Sequence, residues 1–508
     1  MATFGGPVTV GTIIEPACLT QCDLGDHGYV EEEFFAHGEA CGYDVAGEAA
    51  SDGTWTAVAA ESAPFRTRLV VRRPADPTRF SGVVLVEWLN VSSSFDADPD
   101  WAFMHEEILR AGHAYVAVSA QQVGVMGGRG PINPTGPAAP GLRASDPARY
   151  GSLTHPGDRY SFDLFRQVGA ALRYAGGASG VIGTAGSDGG VGAGGVVGAG
   201  GVVSAGGVVG AGGVIGADGV VSADGASGAG VAALGGLQPA YVIAIGESQS
   251  AMYLTSYINA VQPLHPVFDG FIVHSRGAGC GPLNGDGIDP MGVPTGLRIR
   301  ADTAVPVLVI ETEGDLLPPL SYWRARQPDA DRFRLWEMAG TAHADSYLIG
   351  AAAPLLGIDW RVNEGPQRYL VQAALRALVT WVTEGTPPPA AARIELASTE
   401  PPVIARDEAG NALGGVRTPA VDVPVATLSG EPPPGRRAGT AVGWLFGSTT
   451  PLADSDLRRR YGDHEGYLRA YTQALDAAIS AGYLLPENRE QLLADAACQP
   501  FPPVAAPA

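Results

Sequence analysis

The chain has no lysine: in 508 residues, all 32 basic side chains are arginines, set against 53 acidic ones. The net charge of −21 argues against nucleic acid and against anionic membrane surfaces as partners. Cysteine is scarce. Cys18, Cys22 and Cys41 lie close together, while Cys280 and Cys498 stand alone. An odd number without an export signal favours free thiols. A zinc site on the first three would need a fourth ligand, and nothing nearby offers one. No apolar run is long enough to span a bilayer, and residues 1–11 lack the basic and apolar segments of a signal peptide. These absences lead to the expectation of a cytoplasmic protein. Missing lysine alongside abundant Ala, Gly and Pro reads as a GC-rich coding sequence and carries no functional meaning.

What is present centres on Gly246-Glu247-Ser248-Gln249-Ser250. The six residues before it, Ala240-Tyr241-Val242-Ile243-Ala244-Ile245, are apolar and β-branched, as in a buried strand. After it, Ala251, Leu254, Ile258 and Val261 recur at helical spacing until Pro263. A serine at the apex of a strand-to-helix turn has its hydroxyl pushed out above the sheet, with the next N–H facing the same point. As a bare pentapeptide the match is weak in a chain with 71 glycines; the flanking strand and helix give it meaning. The fifth position is Ser250 instead of Gly, a small residue that the close approach of helix and strand demands.

Taken in order, residues 1–75 form a β-rich segment expected to join the sheet, with strands near 29–35, 55–59 and 65–71 and a hairpin turn at Asp52-Gly53. Residues 76–175 alternate strand, helix and strand, which argues for a parallel sheet with crossover helices. They include a long Gly/Pro-rich loop over 120–158, whose His155 is expected to organise it. Residues 176–236 are almost only Gly, Ala, Val, Ser and Asp. Val191, Val197, Val203, Val209, Ile215 and Val221 repeat there with a period of six. Such hexads are similar to those of left-handed β-helices, but six make only a stub, and a disordered insertion is the preferred reading. Residues 237–385 resume the α/β pattern. Residues 386–508 read as irregular strands followed by helices, with Leu468, Tyr471, Leu475 and Ile479 as a core stripe.

A serine hydroxyl needs a base to take its proton, and the base needs an acid to hold its tautomer. On elbows of this kind the order along the chain is serine, acid, histidine. The strand at 306–310 is followed by Glu311-Thr312-Glu313-Gly314-Asp315. Asp315, just past the turn, is the best-placed acid, and Glu313 is its rival. After the next strand, Ala339-Gly340-Thr341-Ala342-His343 supplies the base. His274 and Arg276 follow another strand end and are candidate pocket residues, although a satisfied structural histidine is the commoner outcome. An oxyanion hole needs two convergent N–H groups: Gln249 for one, and Leu89 or Asn90 for the other by position alone. No metal or organic cofactor is implied, because the triad needs none.

Several further stretches carry a family resemblance: Gly28-Tyr29-Val30-Glu31-Glu32-Glu33, Val86-Glu87-Trp88-Leu89-Asn90-Val91-Ser92, Asp146-Pro147-Ala148-Arg149-Tyr150 and His155-Pro156-Gly157-Asp158. With the elbow, His274-Ser275-Arg276 and Ala339-Gly340-Thr341-Ala342-His343-Ala344-Asp345, the chain resembles the alpha/beta hydrolase domain family of serine esterase-like proteins over nearly its whole length outside 176–236. The resemblance implies an α/β-hydrolase fold: a mostly parallel central sheet flanked by helices, here with extra N-terminal strands, a C-terminal helical extension and the hexad insertion. It implies a serine hydrolase and says much less about substrate; the first reading of the triad is a hydrolase of a small-molecule carboxylic ester. Glu311 in the acid turn departs from the family pattern. An acyltransferase or amidase would use the same triad, and a non-catalytic binding protein would make the hexads the point of interest.

Overall fold

The computed structural model describes residues 1–18, 22–132, 136–174, 233–285, 296–436 and 442–502. The hexads lie outside these residues, and so does the choice between a loose insertion and a β-helical stub.

One nine-stranded sheet organises the molecule. In chain order its strands are β1 (Thr3–Gly5), β2 (Tyr29–Val45), β3 (Ala57–Pro74), β4 (Val83–Trp88), β5 (Ala114–Val118), β6 (Tyr241–Glu247), β7 (Gly270–His274), β8 (Val307–Thr312) and β9 (Phe333–Met338). In space the order is β1-β2-β3-β5-β4-β6-β7-β8-β9. Strands β4 to β9 run parallel. The first three are antiparallel at one edge, with β3 bonded to β5. Chain order reverses beside β4, whose neighbours are β5 and β6, and the carboxyl ends at such a switch point leave a crevice. Asn90 follows β4 there and Ser248 follows β6.

The parallel strands are mostly apolar because both faces are covered, with polar residues concentrated toward their carboxyl ends. Alternate residues go to opposite cores. Val84, Val86, Val242, Ala244, Val307 and Val309 pack on one side, with Phe162, Phe165, Tyr253 and Tyr257 from the helices Ser161–Arg173 and Gln249–Ser256 and the turn after the latter. Val83, Leu85, Ile243, Ile245, Leu308 and Ile310 pack on the other, with Ile108, Leu370 and Leu378 from Pro99–Ala111 and Gln367–Glu384. Tyr467, Tyr471 and Leu475 of the late helix His464–Ser480 join this second core, while Leu468 and Ile479 are only partly buried. Glu87 ties sheet to helix: its buried carboxylate accepts from the N–H groups of Asp100 and Trp101 at the start of Pro99–Ala111, and from Tyr115 Oη at 2.6 Å. Burial, with Asp100 and Asp98 close by, pushes its pKa well above the usual carboxylate value, so it is these hydrogen bonds that make the tie.

The N-terminal segment departs from expectation. The runs near 55–59 and 65–71 join in one strand, β3, because residues 59–64 stay with β2, apart from an irregularity at Ala60 and Glu61, although they offer no alternating apolar pattern. Asp52-Gly53 is not a two-residue turn. It sits inside the longer loop between β2 and β3, where Gly53 has φ +79° and a side chain would strike the Arg298 carbonyl at 2.3 Å. The 120–158 loop carries three short helices, Gln122–Met126, Gly141–Ser145 and Pro147–Tyr150. His155 is buried there, bonded to Ala120 O and Gly157 N. The five cysteines are free, and among the described residues no helix is long and apolar enough to cross a membrane.

Candidate active site

The elbow is tight for a reason that can be measured. A Cβ on Gly246 would lie 3.0 Å from Leu254 Cδ1 and 3.2 Å from the Cβ of Ser250. The strand and helix are thus already in contact, and Ser250 fits because it is small. Ser248 takes φ +57° and ψ −117°, a conformation that only a well-held turn keeps in a non-glycine residue. The Ser248 N–H donates to His274 O at 2.8 Å, and Ser248 O accepts from Met252 N at 3.1 Å. Gln249 begins the helix, so its N–H has no carbonyl partner within the helix.

Two loops converge on this serine. The turn after β8 carries Asp315 in the short helix Gly314–Leu316. Its Oδ2 accepts from Thr312 N at 2.7 Å, and its Oδ1 lies 2.6 Å from His343 Nδ1. The turn after β9 carries His343, whose Nε2 lies 2.9 Å from Ser248 Oγ. The carboxylate can only accept, so the imidazole proton sits on Nδ1 and Nε2 is left to accept from the serine. Burial alone would raise the Asp315 pKa, but the charge and hydrogen bond of His343, with Thr312, hold it below the usual carboxylate value. For His343 burial pulls the pKa down, and Asp315 and Glu247 more than offset this, raising it above the usual imidazole value.

The other candidates lie elsewhere. Glu313 is turned away from His343. Its carboxylate accepts from Gly340 N (3.0 Å), Gly430 N (3.2 Å) and Arg406 Nη2 (2.9 Å), clamping the histidine loop to a later segment. His274 is wholly buried below the elbow, with Nδ1 2.8 Å from Asp100 Oδ1 and Nε2 3.3 Å from Gln367 Nε2. Arg276 is buried too, its guanidinium 5.0 Å from the Tyr322 ring centroid and donating to Leu297 O. Neither lines the cavity at Ser248. Asn90 is a correction. Its N–H donates to Ala97 O at 2.9 Å, as the Leu89 N–H does to Val118 O at 3.2 Å, so neither is left for an oxyanion. The Asn90 side chain instead donates to Glu247, at 3.1 Å to its carbonyl and 3.2 Å to Oε2. Glu247 is the residue that sequence reasoning passed over: its Oε1 lies 3.3 Å from His343 Nε2. The only signal was its place beside the serine.

A cavity of about 350 Å³ opens over Ser248 and His343, walled by Phe95, Met252, Leu320, Leu348, Trp444 and Phe446. Among its described lining residues there is no arginine; Glu247 is the one acidic side chain and His343 the one histidine. Larger cavities near Tyr467 and near His105 contain neither Ser248 nor His343. Among the described residues no group of His, Cys, Asp and Glu could hold a metal ion.

A mostly parallel sheet with a serine on a strained strand-to-helix turn, at the carboxyl ends of the strands, defines the α/β-hydrolase class. The chain belongs to the alpha/beta hydrolase domain family, whose model matches residues 4–209 and 220–494. The match thus runs into the hexads instead of stopping before them, leaving out only 210–219 there. Comparison with curated proteins finds no match. Among solved structures, a putative dienelactone hydrolase from Klebsiella pneumoniae subsp. pneumoniae MGH 78578 is similar at 10% identity and a TM-score of 0.30, over 69% of this chain and 99% of its own. A glucuronoyl esterase from Solibacter usitatus is similar at 10% identity and 0.25, over 66% and 84%.

Proposed function

We propose that this protein is a serine hydrolase of carboxylic esters that works through an acyl-enzyme. The observation that carries the reading is the unbroken chain from Ser248 Oγ through His343 to Asp315, at 2.9 and 2.6 Å. Ser248 Oγ attacks the ester carbonyl while His343 Nε2 takes its proton, and Asp315 stabilises the imidazolium that forms. The Gln249 N–H faces the developing oxyanion. His343 then protonates the departing alkoxide, and water, activated by the same imidazole, releases the acid.

The walls favour an uncharged, apolar ester. The test is a panel of p-nitrophenyl esters of rising acyl length, with a fluorophosphonate probe in parallel. Each methylene that enters the cavity contributes ~0.8 kcal/mol, so kcat/KM should rise about fourfold per carbon until the space is filled. An acyl chain ending in a carboxylate should do worse by at least about tenfold, since no arginine of the described lining could pair with it and Glu247 repels it. Absence of both turnover and labelling would refute the hydrolase reading. A preference for the carboxylate-bearing ester would refute the substrate class alone.

A further inference from the structure

Glu247 is nearly fully buried, and its Oε1 lies 3.3 Å from His343 Nε2, the same nitrogen that faces Ser248 Oγ. With the Nδ1 proton committed to Asp315, an ionised carboxylate and a bare Nε2 lone pair at that distance would repel each other. A proton between them removes the repulsion. Asn90 donates to Oε2 and to the Glu247 carbonyl, which holds the carboxylate in place and leaves Oε1 free to face the imidazole.

We propose that Glu247 is a positioning residue for His343: its Oε1 shares a proton with Nε2, so the proton that must leave before Ser248 can be activated belongs to the Glu247–His343 pair and not to the imidazole alone. This rests on the hydrolase reading for its consequence but not for its geometry. The groups facing Glu247 are His343 after β9, Asp315 after β8, His274 at the end of β7, Asp100 at the start of Pro99–Ala111 and Cys18 of the N-terminal segment. Burial, with the charges of Asp100 and Asp315, pushes the Glu247 carboxyl up, and the two histidines pull it down; it rests at about 7. In the acylation transition state the proton taken from Ser248 arrives on Nε2 within reach of this carboxylate, which supplies a second counter-charge beside Asp315.

The sign follows from the anion. Glu247 raises the His343 pKa, so its removal lets the imidazole lose its proton at lower pH. In Glu247→Gln, the acid limb of the kcat/KM–pH profile should move down by about one pH unit, as expected for loss of one opposite charge within hydrogen-bonding distance. An acid limb that stays in place, or moves up, overturns the proposal, even if activity falls. A second measurement needs neither turnover nor a variant. The downfield Nδ1 proton resonance of His343 in the wild-type chain should titrate in two coupled steps, as a pair does. A single step overturns the proposal, including in the case where Glu247→Gln does not fold. Failure of the hydrolase reading is distinguishable, because it shows as absent fluorophosphonate labelling while the resonance still reports on the pair.

Discussion

Ser248→Ala is expected to abolish both ester hydrolysis and fluorophosphonate labelling, with a kcat loss on the order of 10⁶, as for a protease nucleophile of the same kind. The fold should survive. The substitution keeps Cβ, and the backbone bonds that hold the turn, Ser248 N to His274 O and Met252 N to Ser248 O, do not involve the hydroxyl. The thermal midpoint of the variant should therefore match that of the parent, which separates lost chemistry from lost structure. Labelling that persists in the alanine variant would place the nucleophile elsewhere and bring the proposed function down with it.

The second large effect concerns the two acids after β8. If Asp315 orients His343, Asp315→Asn leaves an amide that favours the wrong imidazole tautomer at Ser248. The loss expected is about 10⁴ in kcat, by analogy with the protease triad. Glu313→Gln should instead be felt in stability. Its carboxylate accepts two N–H groups and an arginine while fully buried, and leaving one such partner unmet costs ~1–3 kcal/mol. Its kcat should fall only a few-fold. The measurements are kcat and thermal midpoint for both single variants and the double variant. Should Glu313→Gln lose more kcat than Asp315→Asn, the assignment reverses. Coupling in the double variant is a separate matter, because both acids brace the same histidine loop.

The elements of the α/β pattern are legible in the chain because local rules govern them. Strands β4 to β9 are short apolar runs, since each is covered on both faces, and the elbow announces itself by the change from strand to helix period at Ser248. Order along the chain, together with strand ends, is enough to name Ser248, Asp315 and His343 as a group; the fold brings those three within hydrogen-bonding distance. The N-terminal edge is less legible. Between Ala59 and Pro64 no alternation marks a strand, yet β3 continues there because β2 provides its hydrogen bonds.

Local pattern does not reach contacts between segments far apart in the chain. Glu313 and Asp315 are two residues apart, and both precede the histidine on a strand-end turn; only the short helix Gly314–Leu316 turns one toward His343 and the other toward Gly340, Gly430 and Arg406. Asn90 lies where an oxyanion donor would be sought, but its N–H closes a bridge to Ala97, and its side chain reaches Glu247, 157 residues away. For the core strands β4 to β9 and the elbow, the chain alone specifies strand, helix and turn, since those depend on side-chain size, apolarity and backbone preference within a few positions. Which buried polar group faces which depends on the strand order of the sheet, because β4 and β6 become neighbours only through a crossover. In a dry interior each such group takes whichever partner that order places within reach.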